Sequence, residues 1–299
     1  MGNNPGKEVD HDDYKNFLLR KTEEVEGLGR FDHYEDIQYN LHYLVFESSF
    51  AISNPEIAEA EISQLRKLDT LKNACQLRSA TVGKNQLLCF ENYSIKLSFE
   101  YFEDNLMTIA KKKNPSTSVN ENEVWQIMSD LINYLTEFSH LGLSHGDLQP
   151  KNILFNKNRV VKVLCPLVFT SYQNAYKLRL ANDNYRSTFS PELLQEYQNR
   201  VYSPNYDPAR ADIFSLGICM LSYIHNENFE SYFNFKENVV LFEKIKNQLS
   251  LMIKQNYSEE LFFIINLCLK QNSYERATLE DLAKIIKKRQ NSKNGNNTW

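Results

Sequence analysis

Residues 213–224 place the strongest constraint on how this chain folds. Their sequence, IFSLGICMLSYI, is apolar or small at almost every position. A helix that is apolar on all of its sides must be buried on all of its sides, so other elements have to surround it. At 299 residues the chain is long enough to provide them, within one two-lobed domain or two small ones.

The first part of the chain, to about residue 110, is rich in β-forming runs. Asn54-Pro55-Glu56 predicts the start of one helix, with a capping side chain, proline at the first helical position and an acid in the first turn. At helical steps from this start, Glu61 falls on or beside the face that we expect to be buried. Three runs predict short strands of a small sheet: residues 43–46, 86–90 and 95–99.

Helical periodicity dominates the second part. Apolar residues recur at steps of three and four from Asn122, which predicts a helix that ends at Gly142. Other segments complete a helix-rich half: helices at residues 261–269 and 279–286, and a strand hairpin at residues 153–155 and 160–164.

Composition narrows the class of protein. The net charge is −4, with acids and bases mixed along the chain, so we expect no nucleic-acid partner. No apolar run is as long as a bilayer span and the N-terminus is polar, so we expect neither a membrane segment nor a signal peptide. The five cysteines form no Cys-x-x-Cys pair, which is typical of buried thiols in a reducing compartment. Residues 1–13 and 291–299 are poor in apolar side chains and are predicted to be flexible.

Residues 144–154, with the sequence SHGDLQPKNIL, closely resemble the catalytic loop H-R-D-L-K-P-x-N-I-L of protein kinases. Asp147 and Asn152 keep the family's spacing, after a predicted helix and before a predicted hairpin. Further motifs resemble kinase sequences in the right order: the E-I-x-x-L of helix C from Glu61, the hinge at residues 99–102, helix D from Leu106, the A-P-E at residues 190–192, the D-x-W-S-x-G from Asp212, and a late arginine at Arg276.

The resemblance covers roughly residues 15–290 and implies the protein-kinase fold. We therefore expect an α+β, bilobal protein-kinase-like domain over residues 14–290. Its small, β-rich N-lobe with helix C would span about residues 14–101. Its larger, α-helical C-lobe would span about residues 102–290.

The resemblance also implies roles for the matching residues. Asp147 would orient the substrate hydroxyl and accept its proton, and Asn152 could ligate magnesium. Asp212 would accept hydrogen bonds from the catalytic-loop backbone, and Glu192 would form a buried ion pair with Arg276. Four matches are thus expected to hold the fold together: His145, Asp212, Glu192 and Arg276.

The positions that would contact phosphates and magnesium depart from the family. Cys165-Pro166-Leu167 stands where D-F-G is expected, and a thiol cannot replace the aspartate that bridges magnesium to the nucleotide. Gln149 replaces the catalytic-loop lysine, and its amide supplies no charge. Gly146 replaces the arginine that would meet a phosphate on the activation segment.

The glycine-rich loop and the strand-3 lysine are also degenerate. Gly27 and Gly29 resemble the opening of G-x-G-x-F-G, but Asp32 takes the third glycine position, where an acid would repel phosphates. A plain turn is the simpler interpretation of this pair. The chain has no lysine or arginine near Phe46, where the strand-3 lysine is expected, so Glu61 lacks that partner.

These departures favour a catalytically impaired protein-kinase-like domain, a pseudokinase that acts as a structural or protein-interaction subunit of a larger assembly. We expect protein partners, no nucleic acid, no membrane and no cofactor; ATP binding without metal stays open but is not expected. We expect a cytoplasmic location, and cytoskeletal or ciliary association is a further hypothesis.

Two alternative functions stay open. An active atypical Ser/Thr protein kinase would transfer phosphate from ATP to protein, and the retained Asp147 and Asn152 favour it. A small-molecule phosphotransferase could use the same fold, but the complete region from Glu192 to Asp212 argues against it.

Overall fold

A strand-rich N-lobe precedes a helical C-lobe, as the sequence predicts. The computed structural model describes residues 17–25, 29–36, 41–48, 54–87, 90–100, 102, 104–113, 118–156, 158–165, 175–181, 183 and 188–295. Gly27, Pro166 and Leu167 lie outside these residues, as does the predicted flexible segment 1–13.

The N-lobe is built on five antiparallel strands. They are β1 (Phe17–Val25), β2 (Gly29–Asp36), β3 (Leu41–Ser48), β4 (Leu77–Leu87) and β5 (Phe90–Glu100), in the order β1-β2-β3-β5-β4. The strands predicted at residues 43–46 and 95–99 lie in β3 and β5. The strand predicted at residues 86–90 is wrong, because this run covers the end of β4 and the start of β5. Residues 87–90 are all apolar and contain no glycine or proline, so no sequence signal marks the end of β4.

Helix α1 (Pro55–Leu68) packs against β4 and β5 and begins where the sequence predicts. The side chain of Asn54 caps it by accepting a hydrogen bond from the backbone N–H of Glu56 at 2.8 Å. Glu61 lies within this helix, and its side chain is outside the described part of the structure. The buried face includes Ala58, Leu65 and Leu68.

The C-lobe is mainly helical. Its helices are α2 (Leu106–Lys112), α3 (Glu121–His140), α4 (Ala175–Ala181), α5 (Pro191–Gln198), α6 (Pro208–His225), α7 (Phe242–Lys254), α8 (Glu259–Cys268) and α9 (Leu279–Gly295). Short strands complete it: β6 (Asp104–Asn105), β7 (Ile153–Phe155) and β8 (Val161–Val163) in one sheet, and β9 (Phe233–Asn234) with β10 (Val239–Val240) in another.

Helix α6 is the centre of the C-lobe. Every residue from 211 to 224 is buried, as the nearly all-apolar sequence of residues 213–224 predicts. Gly217 lets α6 approach the end of α8 closely: a Cβ atom at this position would lie 2.7 Å from the Leu269 side chain and 3.0 Å from that of Cys268. The glycine is therefore required by packing between the two segments.

Helix α9 is longer than predicted. It continues to Gly295, so residues 291–295, which we expected to belong to a flexible tail, are helical. The segment has few apolar residues, but it extends a helix that packs against α3, and this tertiary support overrides composition. Among the described helices, none is both long and apolar enough to cross a bilayer.

Candidate functional site

The loop between α3 and β7 places Asp147 and Asn152 side by side. Asp147 is only 1% exposed. Its Oδ1 accepts a hydrogen bond from Gln149 Nε2 at 2.7 Å, and its Oδ2 accepts one from Asn152 Nδ2 at 3.2 Å. Asn152 Nδ2 also donates to the Asp147 carbonyl at 2.9 Å. The carboxylate is thus held within the loop by two neutral amides.

His145 is buried behind this loop, against the rings of Tyr134 and Phe138. Its Nδ1 accepts from the backbone N–H of Asp147 at 3.2 Å, so the ring proton sits on Nε2 and points to the Leu164 carbonyl at 3.1 Å. Burial lowers the pKa of His145 to about 4. The imidazole is therefore neutral at pH 7 and serves as a bridge between the loop and the end of β8.

Asp212, near the start of α6, fixes the backbone of the catalytic loop. Its carboxylate accepts from the backbone N–H of His145 at 2.7 Å and of Gly146 at 2.9 Å. Gly146 has φ = +71°, a left-handed conformation that glycine adopts without strain. Burial raises the pKa of Asp212 to about 7, while the two N–H donors act in the opposite direction.

Cys165 lies two residues after the end of β8 and contacts the catalytic loop. It is 6% exposed, and its Sγ lies 3.8 Å from the carbonyl oxygen of His145, to which the thiol donates. The preceding residue is tied to the same loop, because the Leu164 N–H donates to the Asn152 carbonyl at 2.9 Å. The position expected for the D-F-G aspartate therefore carries a buried thiol that is bonded to the protein.

The described residues do not fit a magnesium ion. Magnesium needs hard oxygen ligands, usually carboxylates together with phosphates. The Asp147 carboxylate already accepts two amide hydrogen bonds, and Cys165 offers a soft sulfur. No step of phosphoryl transfer can therefore be assigned to magnesium held by these groups.

The N-lobe side of the site is described only in part. Gly29 is the first residue of β2, and the backbone of Phe46 pairs with Leu97 in β5. The acid that we expected to repel phosphates, Asp32, is instead paired with Arg30, whose Nη2 lies 2.7 Å from Oδ2. Burial opposes ionisation of Asp32, but hydrogen bonds from Arg30 and Thr22 outweigh it and keep the pKa of Asp32 below its ordinary value.

Glu192 and Arg276 form a two-pronged ion pair. Arg276 Nη1 lies 2.9 Å from Oε1 of Glu192, and Nη2 lies 3.1 Å from Oε2. The remaining guanidinium N–H groups donate to the carbonyls of Lys270 and Arg210, so all five donors are used. The guanidinium also lies over the ring of Phe214, 5.1 Å from its centroid.

A connection that sequence reasoning missed joins the two lobes. The loop after α1 bonds to β8: Asn73 Nδ2 donates to the Val161 carbonyl at 2.8 Å, and Val163 N–H donates to the Asn73 carbonyl at 2.7 Å. Lys162 Nζ donates to the Lys72 carbonyl at 2.8 Å. No local motif marks these residues, because each bond links positions about 90 apart in the chain.

The two-lobed fold and the loop geometry are those of a protein kinase domain. A sequence model described as the protein kinase domain matches residues 45–286, and the chain belongs to this family.

Several curated protein kinases are similar to part of the chain. A probable serine/threonine-protein kinase, iksA of Dictyostelium discoideum, is 25% identical over 54% of this chain and 20% of its own length. A second probable protein kinase of that organism is 25% identical over 55% of this chain and 42% of its own length. The serine/threonine-protein kinase Tao of Drosophila melanogaster is 27% identical over 53% of this chain and 14% of its own length. The chain therefore spans less than half the length of each of these relatives.

Proposed function

We propose that this domain is a pseudokinase: a protein-kinase fold that binds protein partners without transferring phosphate. The observation that carries the proposal is the state of Asp147, whose carboxylate is buried and accepts hydrogen bonds from Gln149 and Asn152. A general base has to accept the substrate proton, and two of the hydrogen bonds that this carboxylate accepts come instead from its own loop.

The missing charges support the same proposal. Removing one group that stabilises charge in a transition state commonly lowers the rate by about 10²–10³-fold. The loop lysine is replaced by Gln149 and the D-F-G aspartate by Cys165. Such losses are not additive, but even one of them removes a large share of the rate enhancement.

The groups that hold the fold are retained. The Glu192–Arg276 ion pair and the hydrogen bonds of Asp212 to the loop backbone are both in place. Loss of one partner of a buried ion pair costs about 3–5 kcal/mol. A domain that keeps the interactions that stabilise its fold, but lacks the charged groups needed for phosphate transfer, is suited to binding.

A phosphate-transfer assay tests this proposal. The purified chain is incubated with radiolabelled ATP, magnesium or manganese, and generic protein substrates, beside the Asp147→Asn variant. We expect equal background labelling for both, with circular dichroism showing that both are folded. Labelling that disappears in the Asp147→Asn variant would overturn the proposal.

An active atypical Ser/Thr protein kinase is the second candidate. The adjacency of Asp147 and Asn152 favours it, and so does the similarity to relatives named as protein kinases. Thermal melting with ATP separates the candidates, since a ligand that binds the folded state raises Tm. A rise that requires magnesium or manganese supports the enzyme, whereas a metal-independent rise supports a pseudokinase that retains nucleotide.

The cellular setting follows from the same proposal. We propose protein partners in a multi-subunit assembly, with no nucleic acid, membrane or obligatory cofactor, in the cytoplasm. Cytoskeletal or ciliary association is one form that this could take. Affinity purification of the tagged chain from cells, followed by mass spectrometry, tests it; recovery of the chain alone at a monomer's size would contradict the assembly.

A further inference from the structure

A cavity of about 70 Å³ lies beside the catalytic loop and is not used by the proposed function. Since roughly 10–15 Å³ of such space accommodates one water, this cavity has room for a small planar group. The loop, α4, α5 and α6 all contribute to its walls. The lining residues that define its chemistry are Gly146, Tyr176, Phe189, Tyr206, Asp212 and Ser215.

The charged side chain among the residues that line this cavity is a carboxylate, that of Asp212. Burial raises the pKa of Asp212 to about 7, and the nearby carboxylates of Asp147 and Asp207 add to this effect. Burial likewise raises the pKa of Tyr206 to about 12, with Asp212 and Glu192 adding to the effect. One carboxylate among aromatic side chains attracts a cation and repels an anion, and a bound cation would keep Asp212 ionised.

The walls are aromatic, and one side is open. The rings of Tyr176, Phe189 and Tyr206 supply the electron-rich faces that attract cations. At Gly146, where the family resemblance places an arginine, an added Cβ would meet no atom within 4 Å. Within the described part of the chain, no residue fills the space next to this glycine.

We propose that the cavity binds a guanidinium group, supplied by an arginine side chain of a protein partner. Guanidinium is planar and weakly hydrated, stacks on aromatic rings and pairs with carboxylates, so it suits these walls better than ammonium. The inference rests on the proposed function, since it names the chemistry by which a binding domain recognises its partner.

A neighbouring contact shows that this part of the fold accommodates guanidinium groups. Arg179 of α4 is buried, and its guanidinium lies 5.3 Å from the centroid of Phe189, 4.8 Å from that of Tyr197 and 5.0 Å from that of Phe235. Arg179 is not among the residues that line the cavity. Phe189 thus contributes both to this aromatic cage and to the empty cavity beside it.

The experiment uses ethylguanidinium as the probe and the uncharged ethylurea, of nearly the same shape, as the matched control. We expect ethylguanidinium to bind with a Kd on the order of 1–10 mM, because a ligand with so few atoms makes few contacts. At a concentration ten times its Kd, it should raise Tm by about 2 °C. Ethylurea should leave Tm unchanged at equal ionic strength. Equal responses to both compounds, or no saturable binding of ethylguanidinium, would overturn the inference.

Variants locate the site. Tyr206→Leu removes one aromatic wall and should weaken ethylguanidinium binding at least tenfold. Tyr274→Leu is the matched control, because Tyr274 is 88% exposed and does not line the cavity; it should bind as wild type does. Binding that is unchanged in Tyr206→Leu would contradict the site.

Two further measurements keep the outcome clear. If Tyr206→Leu does not fold, titration of the ¹⁵N-labelled wild-type chain decides: the amide signals of Gly146 and Asp212 should shift with ethylguanidinium, and a lack of shift there would reject the site.

The phosphate-transfer assay is run separately. Transfer that depends on Asp147 would refute the pseudokinase proposal alone, whereas failure of ethylguanidinium to bind would refute the cavity proposal alone.

Discussion

The side-chain amide of Gln149 donates a hydrogen bond to Asp147, with 2.7 Å between Nε2 and Oδ1. Both side chains are buried. In an active kinase a lysine would stand at the position of Gln149 and carry charge towards a phosphoryl group, as the family resemblance implies. Here the residue is directed to the neighbouring carboxylate, and the pair behaves as a structural unit of the loop.

Replacement of Gln149 by Met should destabilise the domain by about 1–3 kcal/mol. The substitution keeps the length of the side chain but removes a donor to a buried carboxylate, whose lost hydrogen bond is not replaced by water. Urea unfolding measures the change. Gln195→Met, at an exposed position of α5, is the control and should change the unfolding free energy by less than about 0.5 kcal/mol. Similar values for both variants would argue against a structural role for the Gln149 amide.

Replacement of Arg276 by Met should destabilise the domain by about 3–5 kcal/mol, because it leaves Glu192 without its partner and removes the hydrogen bonds that Arg276 donates to two backbone carbonyls. Lys246→Met is the control. Lys246 forms an ion pair with Glu243 in which the side chains are 67% and 83% exposed, so its loss should be hardly measurable. Chemical denaturation monitored by tryptophan fluorescence compares the two. Equal effects of the two substitutions would mean that the buried Arg276–Glu192 pair adds no more to the free energy of unfolding than an exposed pair does.

Replacement of Gly217 by Ala should destabilise the domain by about 1–3 kcal/mol. Alanine favours helices by roughly 1 kcal/mol over glycine, but the new Cβ would lie 2.7 Å from Leu269, and overpacking prevails. The added Leu269→Ala substitution should recover part of the loss, which a double-mutant cycle would detect as coupling.

Gly83→Ala is the matched control for this glycine. A Cβ there would lie 3.0 Å from the hydroxyl of Ser94 and 3.9 Å from its carbonyl oxygen, so its contacts are less close than those at Gly217. Its effect should be well below that of Gly217→Ala. A neutral or stabilising Gly217→Ala would show that α6 and α8 separate readily.

His145 should make the domain sensitive to acid. Its pKa is about 4 in the folded chain and 6.5 ordinarily, so below pH 6.5 the unfolded chain binds the proton and stability falls as pH decreases. At pH 5 the loss from this group is about 2 kcal/mol. Asp212 has the opposite effect on stability. Its pKa is about 7 in the folded chain and 3.8 ordinarily, so its contribution to the free energy of unfolding decreases as pH rises from 3.8 to 7.

The His145→Gln variant isolates the histidine contribution, since Asp212 is common to both chains. The difference in unfolding free energy between wild type and variant should shrink by about 2 kcal/mol from pH 7 to pH 5. Urea unfolding at several pH values measures it. A difference that is independent of pH would show that His145 is protonated equally in the folded and unfolded chains.

Much of this architecture could be predicted from local sequence. The apolar residues 213–224 dictate a buried helix, and the loop at residues 144–154 has a spacing that few other structures share. Local rules failed where tertiary contacts decide. Residues 87–90 are all apolar where β4 ends and β5 begins, and residues 291–295 are polar yet extend a packed helix.

The hydrogen bonds of the site were harder to predict than its residues. Sequence comparison places Gln149 and Cys165 in the site, but not the direction of their side chains, which depends on the burial of the loop. The cavity lined by Tyr206 is beyond sequence reasoning altogether, since its walls come from four separate segments.

The bonds of Asn73 and Lys162 fasten the segment that follows α1 to β8, the strand that leads to Leu164 and Cys165. Leu164 is in turn bonded to Asn152 of the catalytic loop. A partner that binds α1 would therefore reach the site through a short, continuous chain of backbone and side-chain hydrogen bonds, without touching the loop itself.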